Sequence, residues 1–199
     1  SIHGVRALYS GGPLPAERSI LVKLDLPRVE RIYASHVLGG VFGPFWTTPS
    51  WVDSFSQVPE ETQIMLFKYP GEEWCAILPL VGGGLRTMLE GDKGGPLAAA
   101  SSFHEGYVPK DVPLFAIGWA ADPYKLVHDL YSFAFRFMHD IDPDGVIGKP
   151  RRQKKYPEIF KYIGWCSWNA HYRSVSQKDL FKHARSFQEA GFPMRWMLV

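Results

Sequence analysis

The chain has 199 residues, of which 46% are hydrophobic and 15% aromatic. This length fits one domain or two small ones, and this composition excludes a disordered or low-complexity chain. Lys and Arg together number 22 against 20 Asp and Glu, which leaves a formal net charge of +2. So small a net charge is compatible with an anionic or a cationic ligand at an individual site. It argues against nucleic acid or an anionic membrane as the main partner.

The two cysteines, Cys75 and Cys166, lie far apart and form no Cys-x-x-Cys pattern. This spacing argues against a disulfide framework and against a zinc ribbon, so we expect reduced thiols and a cytoplasmic setting. No apolar run approaches the ~18 residues that a membrane span needs. Residues 1–6 do not resemble a signal peptide, but the first residue is Ser rather than Met, so we expect that an upstream segment was removed.

The seven histidines show none of the spacings typical of metal sites, such as His-Glu-x-x-His. We therefore predict no metal and no cofactor. His128 and His139 are interpreted as residues on the surface of a helix.

Period-two alternation of apolar residues predicts β-structure from Ser19 to about Trp119. Glycine and proline clusters at residues 70–73, 82–84 and 91–95 predict turns between short strands. Short strands at this spacing are typical of an antiparallel sandwich or barrel.

A helix is predicted to follow, from Asp122 to His139. Asp122 and Pro123 supply an N-cap and a first-turn proline. Apolar residues then recur at helical spacing: Leu126, Val127, Leu130, Phe133, Ala134, Phe137 and Met138. The stretch from Lys149 to Lys155 is polar and basic, and we interpret it as a linker between domains rather than as an anion-binding site.

After the linker, the pattern predicts a strand at Tyr162–Trp168, a helix, and a second strand at Pro193–Val199. Ser176 and Asp179 have the spacing of a capping box, and Gly191 is a natural helix end. The parallel strands of one βαβ unit would leave faces and edges uncovered. A (β/α)₈ barrel takes about 250 residues. We therefore interpret the unit as the start of such a barrel, truncated after its second strand.

The predicted organisation is a β-sandwich domain over residues 1–121, a helix and linker over 122–155, and the first βαβ unit of a barrel over 156–199. The remainder of the barrel is expected beyond the last residue.

The densest motif is Gly-Trp-Cys-Ser-Trp-Asn-Ala-His-Tyr at residues 164–172, where the predicted strand runs into its loop. Binding and catalytic residues of a barrel lie at that end of its strands. An aromatic ring can stack on a sugar ring and a neighbouring amide can bind its hydroxyls, so Trp168 and Asn169 suit a carbohydrate pocket. By chemistry alone, Trp165 and Trp168 fit equally well as core residues.

This motif, with Lys-Lys-Tyr-Pro-Glu at 154–158 and Gly-Phe-Pro at 191–193, resembles the alkaline α-galactosidase and raffinose synthase group, glycoside hydrolase family thirty-six of clan D. Further matching segments look like the N-terminal β domain of that group and its closing helix. They are Phe-Trp-Thr-Thr-Pro-Ser-Trp at 45–51, Glu-Thr-Gln-Ile-Met-Leu-Phe at 61–67, Leu-Pro-Leu at 78–80 and Ala-Asp-Pro-Tyr at 121–124. The resemblance covers roughly residues 45–199.

The resemblance implies a β-supersandwich followed by a (β/α)₈ barrel that acts on terminal α-galactosyl groups with retention of configuration. Retention uses two carboxyl groups about 5 to 5.5 Å apart. In this family both carboxyl groups come from later strands of the barrel, so no catalytic residue is assigned in this chain. By the same resemblance Trp168 lines the galactose pocket, with Asn169 and Trp165 beside it. Trp46 or Trp51 is a candidate to reach over the barrel mouth, the alternative being sandwich core.

Three functions stay open at this point: hydrolysis of raffinose-type α-galactosides, galactosyl transfer of the raffinose or stachyose synthase type, and a non-catalytic carbohydrate-binding or assembly module. Plant raffinose synthases usually carry Asp at the position of Asn169 and Phe at that of His171, which disfavours transfer more than hydrolysis. The expected partner is an α-galactoside oligosaccharide, and a homo-oligomer is left open.

Overall fold

The structure is a computed structural model that describes residues 1–38, 46–69, 73–145 and 148–199. The chain divides into two compact units, Ser1–Pro150 and Arg151–Val199. The division falls inside the basic stretch that the sequence analysis interpreted as a linker. Among the described helices, none combines the length and the apolar character needed to cross a bilayer.

The described part of the first unit contains ten strands and one long helix. The strands are β1 (Ile2–Leu8), β2 (Ile20–Lys23), β3 (Ile32–Leu38), β4 (Trp46–Val52), β5 (Thr62–Lys68), β6 (Trp74–Pro79), β7 (Val81–Gly82), β8 (Leu85–Asp92), β9 (Gly95–Ser102) and β10 (Asp111–Ala120). The helix is α1 (Pro123–Ile141), and a 3₁₀ turn lies at Phe55–Gln57. The sequence analysis predicted a β-sandwich domain from residue 1, but it identified strand patterns only from Ser19 onward and so missed β1.

All strand pairs of the first unit are antiparallel, and they form one sheet with the order β1-β10-β6-β5-β8-β9-β2. β3 pairs with β4 and β5, and within the described residues β4 pairs with β3 alone. Apolar residues from both ends of this order meet in one core, which shows that the sheet folds over on itself. The members of that core include Leu85 and Ala100 from one end and Ile77 and Phe115 from the other.

β6 is apolar at almost every position because both of its faces are covered. Cys75 and Ile77 face the main core, while Ala76 and Leu78 belong to a second cluster. Burial raises the pKa of the Cys75 thiol to about 12, so this thiol stays protonated and unreactive at neutral pH. Both cysteines are free thiols, with Cys75 buried and Cys166 exposed.

α1 supplies the cover over the second face of the sheet. Its residues Leu126, Leu130 and Ala134 are buried against Ala116 and the outer residues of β6. The predicted N-cap is confirmed, and the helix ends two residues later than predicted, at Ile141. His128, predicted on the helix surface, is instead half-buried, and its Nε2 atom is enclosed.

Replacing Asp122 by alanine is expected to lower the free energy of unfolding of the first unit by about 1 kcal/mol. The Asp122 carboxylate accepts hydrogen bonds from the backbone N–H groups of Tyr124 (2.9 Å) and Lys125 (3.2 Å), which have no partner inside the helix. Thermal unfolding should show a fall in Tm of roughly 2–4 °C. Glu105→Ala, on an exposed loop, is the control, and an equal shift in both variants would contradict the capping role.

Two of the three predicted turns are confirmed. Gly83 and Gly84 link β7 to β8, and Gly94 lies between β8 and β9; all three have positive φ, which glycine adopts without strain. The third turn lies mostly outside the described residues, at 70–72. Its flanking strands β5 and β6 pair in antiparallel register, with Lys68 opposite Trp74.

The second unit contains the predicted strand, helix and strand. They are β11 (Ile163–Cys166), α3 (Gln177–Glu189) and β12 (Met194–Leu198), and a one-turn helix α2 (Trp168–His171) lies between β11 and α3. Two 3₁₀ turns precede them, at Arg151–Gln153 and Glu158–Lys161. β11 and β12 pair in parallel, and the capping box of Ser176 and Asp179 is confirmed. Gly191 follows α3 with φ of +65°.

Candidate functional site

The candidate site begins where β11 ends. Because β11 and β12 are parallel, their carboxyl ends lie at the same edge, and Cys166 is opposite Leu198. The N–H of Ser167 donates to the carbonyl of Leu198 at 2.9 Å, which extends the ladder by one bond. The predicted strand to Trp168 is therefore two residues too long. Ser167 has helical dihedrals, and a helical turn begins directly after it.

Trp168 and Asn169 are the first two residues of that turn, α2. The backbone N–H groups of Ala170 and His171 both donate to the carbonyl of Ser167, at 3.1 and 2.9 Å. The turn ends at Tyr172, whose φ of 49° is unusual for a residue with a side chain. The local fold thus brings an indole and an amide side by side at the carboxyl end of a strand.

The Trp168 ring is 48% exposed, and the edge of Tyr172 meets it with ring centroids 5.8 Å apart. Asn169 is exposed beside it. An exposed aromatic face next to a free amide is the combination that sugar recognition needs. A role for Trp168 in substrate binding stays a prediction.

Trp165 lies differently, although the motif placed it in the same pocket. Its half-buried ring packs against α3, with centroid distances of 4.8 Å to His183 and 6.2 Å to Phe187. This packing supports the structural interpretation of Trp165. A direct contact between Trp165 and substrate stays a prediction.

Trp196 of β12 covers the backbone of β11, a contact that the sequence analysis missed. Gly164 lies opposite Trp196 in the parallel register, and a Cβ atom at this glycine would come within 2.1 Å of the indole ring. The Trp196 Nε1–H donates to the carbonyl of Tyr162 at 3.1 Å, which holds the ring in place. Only the strand register, which is not visible in the sequence, pairs these two residues.

A hydrogen bond between two histidines joins α2 to α3. The Nε2 atoms of His171 and His183 are 2.9 Å apart. Asp179 lies one turn before His183 on α3. The hydrogen bond from the Ser176 hydroxyl is the main cause that lowers the pKa of its carboxyl group; burial opposes it, and the Ser176 backbone N–H and then the two imidazoles lower the pKa by smaller amounts. The sequence analysis also missed this pair, because α2 itself was not predicted.

Trp46 and Trp51 belong to β4 in the first unit. Trp46 is 66% exposed and Trp51 is 57% exposed, so neither is the sandwich-core residue of the alternative interpretation. Trp51 meets Tyr33 edge to face at 5.2 Å, and the Arg31 guanidinium lies 5.2 Å from its ring centre. A role for Trp46 in substrate binding stays a prediction.

Metal coordination receives no support from the described part of the chain. Within it, no three side chains among His, Cys, Asp and Glu are grouped so that they could hold a metal ion.

Residues 31–199 match the family model described as "Raffinose synthase or seed imbibition protein Sip1". The chain belongs to this family. The match spans both units and includes the whole β11 motif. The resemblance stated from the motifs is thereby confirmed.

Curated relatives of this raffinose synthase family chain are plant proteins. A probable galactinol–sucrose galactosyltransferase 4 of Arabidopsis thaliana is 27% identical over 158 residues, which cover 77% of this chain and 17% of the relative. A galactinol–sucrose galactosyltransferase of Oryza sativa subsp. japonica is 26% identical, and the aligned residues cover 20% of its length. A stachyose synthase of Pisum sativum is 21% identical over 79% of this chain and 18% of its own length. The chain thus spans about a fifth of these relatives.

Solved structures of α-galactosidases superpose on the chain with TM-scores below 0.5. The enzyme of Thermus thermophilus in complex with stachyose gives a TM-score of 0.46 at 14% identity, over 99% of this chain and 42% of its own. The family thirty-six enzyme AgaB of Geobacillus stearothermophilus gives 0.43 at 10% identity, over 90% and 25%. A TM-score below 0.5 does not establish a common fold.

Proposed function

We propose that this chain is the N-terminal part of an enzyme that acts on the terminal α-galactosyl groups of raffinose-type oligosaccharides. The observation that carries the proposal is the half-exposed ring of Trp168 beside the exposed Asn169, at the carboxyl end of β11. Membership of the raffinose synthase family supports it.

In this proposal β11, α3 and β12 begin a (β/α)₈ barrel. The parallel pairing of β11 and β12, with a helix between them in the chain, supports this reading. Active sites of such barrels lie at the carboxyl ends of the strands, where Trp168 follows β11. The two carboxyl groups of a retaining mechanism would come from later strands and would act as nucleophile and as acid/base.

The roles of the two side chains follow from their chemistry. Galactose has an apolar face of C–H groups, which stacks on an indole ring and excludes water from it. The Asn169 amide carries two N–H donors and one acceptor oxygen, so it can bind neighbouring hydroxyl groups of the same sugar. Together they form one wall of the pocket and orient the galactosyl group, and the reaction itself needs the carboxylates.

We propose hydrolysis as the reaction, with galactosyl transfer as the second candidate. Asn169 and His171 replace the Asp and Phe that plant raffinose synthases usually carry, which favours hydrolysis. The names of the plant relatives, which are galactosyltransferases and a stachyose synthase, favour transfer. Both reactions share the same enzyme-bound galactosyl group and differ in whether water or an acceptor sugar takes it.

Product analysis with the full-length protein distinguishes the candidates. We expect free galactose from raffinose alone, and galactose rather than raffinose from a mixture of galactinol and sucrose. Raffinose formation from that mixture would show transfer and overturn hydrolysis. Binding of raffinose without any product would overturn both reactions in favour of a non-catalytic carbohydrate-binding module.

We also propose a cytoplasmic setting for the enzyme. The basis is its two free thiols, of which Cys166 is exposed at the end of β11. Thiol labelling of the protein isolated from its source under non-reducing conditions tests this. An oxidised Cys166 would contradict it.

A further inference from the structure

The turn that carries Trp168 and Asn169 has little stability of its own. α2 is a single turn of four residues, and one helical turn costs more conformational entropy than its hydrogen bonds return. It ends at Tyr172 in a left-handed conformation, which adds a further cost. Contacts from elsewhere in the second unit must therefore hold α2 in place.

Side-chain contacts of His171, the last residue of α2, provide such an attachment. Its Nε2 atom lies 2.9 Å from Nε2 of His183 in the middle of α3. The His183 ring in turn packs on Trp165 of β11 at 4.8 Å, with 32° between the ring planes, and the Trp165 ring also meets His171 at 6.3 Å. Three elements, α2, α3 and β11, thus meet at the histidine pair.

We propose that the hydrogen bond between His171 and His183 positions the turn that carries Trp168 and Asn169, and that protonation of both imidazoles releases this turn. The inference rests on the proposed function, since it makes the two histidines positioning residues for the galactosyl-binding wall. Neither histidine contacts the sugar in this scheme.

The proton dependence follows from the donor and acceptor roles in the pair. One imidazole donates through Nε2–H and the other accepts through a bare Nε2, so the bond needs at least one neutral ring. An imidazole in water has a pKa of about 6.5, and two neighbouring positive charges repel each other. When both are charged, no acceptor is left and the rings repel each other.

The charged groups around the pair do not remove this dependence. Asp179 on α3 interacts electrostatically with both imidazoles, and its carboxylate is already engaged by the hydroxyl and N–H of Ser176. β11 contributes Trp165, which carries no charge. Arg173, Lys182 and Arg185 are the basic residues within two positions of the pair along the chain, and all three are exposed.

Hydrogen exchange and kinetics of the full-length protein test the proposal at pH 7.5 and pH 5.0. The readouts are the protection factor of peptides spanning 165–175, corrected for the intrinsic effect of pH on exchange, and the KM for raffinose. In the wild type we expect the protection factor to fall and KM to rise about fivefold at pH 5.0. A fivefold change corresponds to the free energy of one ordinary hydrogen bond. Peptides from β6 serve as the internal control for general acid effects.

Two substitutions of His171 separate positioning from simple packing. His171→Phe keeps an aromatic ring but removes the bond, so protection should be low and KM high at both pH values. His171→Gln places an amide near the former Nε2 and can bond to His183 in either protonation state. It should restore protection and KM at both pH values and remove the pH dependence.

Several results would overturn the proposal. They are a wild-type protection factor that does not change with pH, wild-type behaviour of His171→Phe, or a changed protection factor with an unchanged KM. Failure of the proposed function looks different. In that case the protection factors follow the stated pattern while no variant, nor the wild type, turns over or binds raffinose.

Discussion

Replacing Trp168 by alanine in the full-length protein is expected to lower kcat/KM for raffinose about tenfold to a hundredfold. The side chain is half-exposed and meets the Tyr172 ring in a single T-shaped contact, so much of its surface is open to a ligand. Covering a large apolar side chain with the apolar face of a sugar contributes up to about 1.5–3 kcal/mol. Each 1.4 kcal/mol or so corresponds to a tenfold change in rate.

A conservative variant and a control make this result specific. Trp168→Phe keeps a smaller stacking face, so it should retain more activity than Trp168→Ala. Phe103→Ala removes an aromatic side chain of similar exposure, 57%, from the loop after β9 in the first unit, and should leave kcat/KM unchanged. Steady-state kinetics with raffinose gives all three values. Unchanged kinetics in Trp168→Ala would remove the site assignment and the observation that carries the proposed function.

The second large effect is expected from Gly164→Ala, which should destabilise the second unit by about 3 kcal/mol. The added methyl group would lie 2.1 Å from the indole ring of Trp196. That ring has little freedom to move, because its Nε1–H is bound to the Tyr162 carbonyl and Phe160 meets it edge to face. The clash must therefore separate β11 from β12 or break the indole hydrogen bond.

Hydrogen exchange over residues 151–199 measures this effect separately from the first unit. Gly12→Ala is the matched control, since nothing lies within 4 Å of the position of its added methyl group. The double variant Gly164→Ala with Trp196→Ala makes room for the methyl group, so the two substitutions should not add. Exchange in Gly164→Ala equal to that of the wild type would contradict the packing of Trp196 on β11.

Much of the local structure could be predicted because its causes lie within a few residues of each other. Asp122 followed by proline caps a helix wherever it stands, and Ser176 with Asp179 closes a capping box by local hydrogen bonds. Positive φ at Gly83 and Gly84 is a property of those residues themselves. The first strand, β1, was missed because its pairing with β10 spans more than a hundred residues.

The candidate site shows the same division between local and distant causes. Trp168 and Asn169 could be found from the sequence, because an indole beside an amide at a strand end is a chemical pattern in adjacent residues. The packing of Trp165 against α3 could not be found from the sequence, since its contacts with His183 and Phe187 depend on how α3 returns over β11.

By itself, the sequence determined the β-rich first unit, the helix that follows it, the strand–helix–strand order of the second unit, and the motif that leads to the raffinose synthase family. The tertiary structure alone decided that β11 stops at Cys166, that Trp196 lies over Gly164, and that His171 bonds to His183. The physical reason is the separation along the chain over which each kind of interaction acts. Alternation, capping and turn chemistry act between neighbours, whereas register and ring packing arise only when distant segments share one volume and exclude each other's atoms.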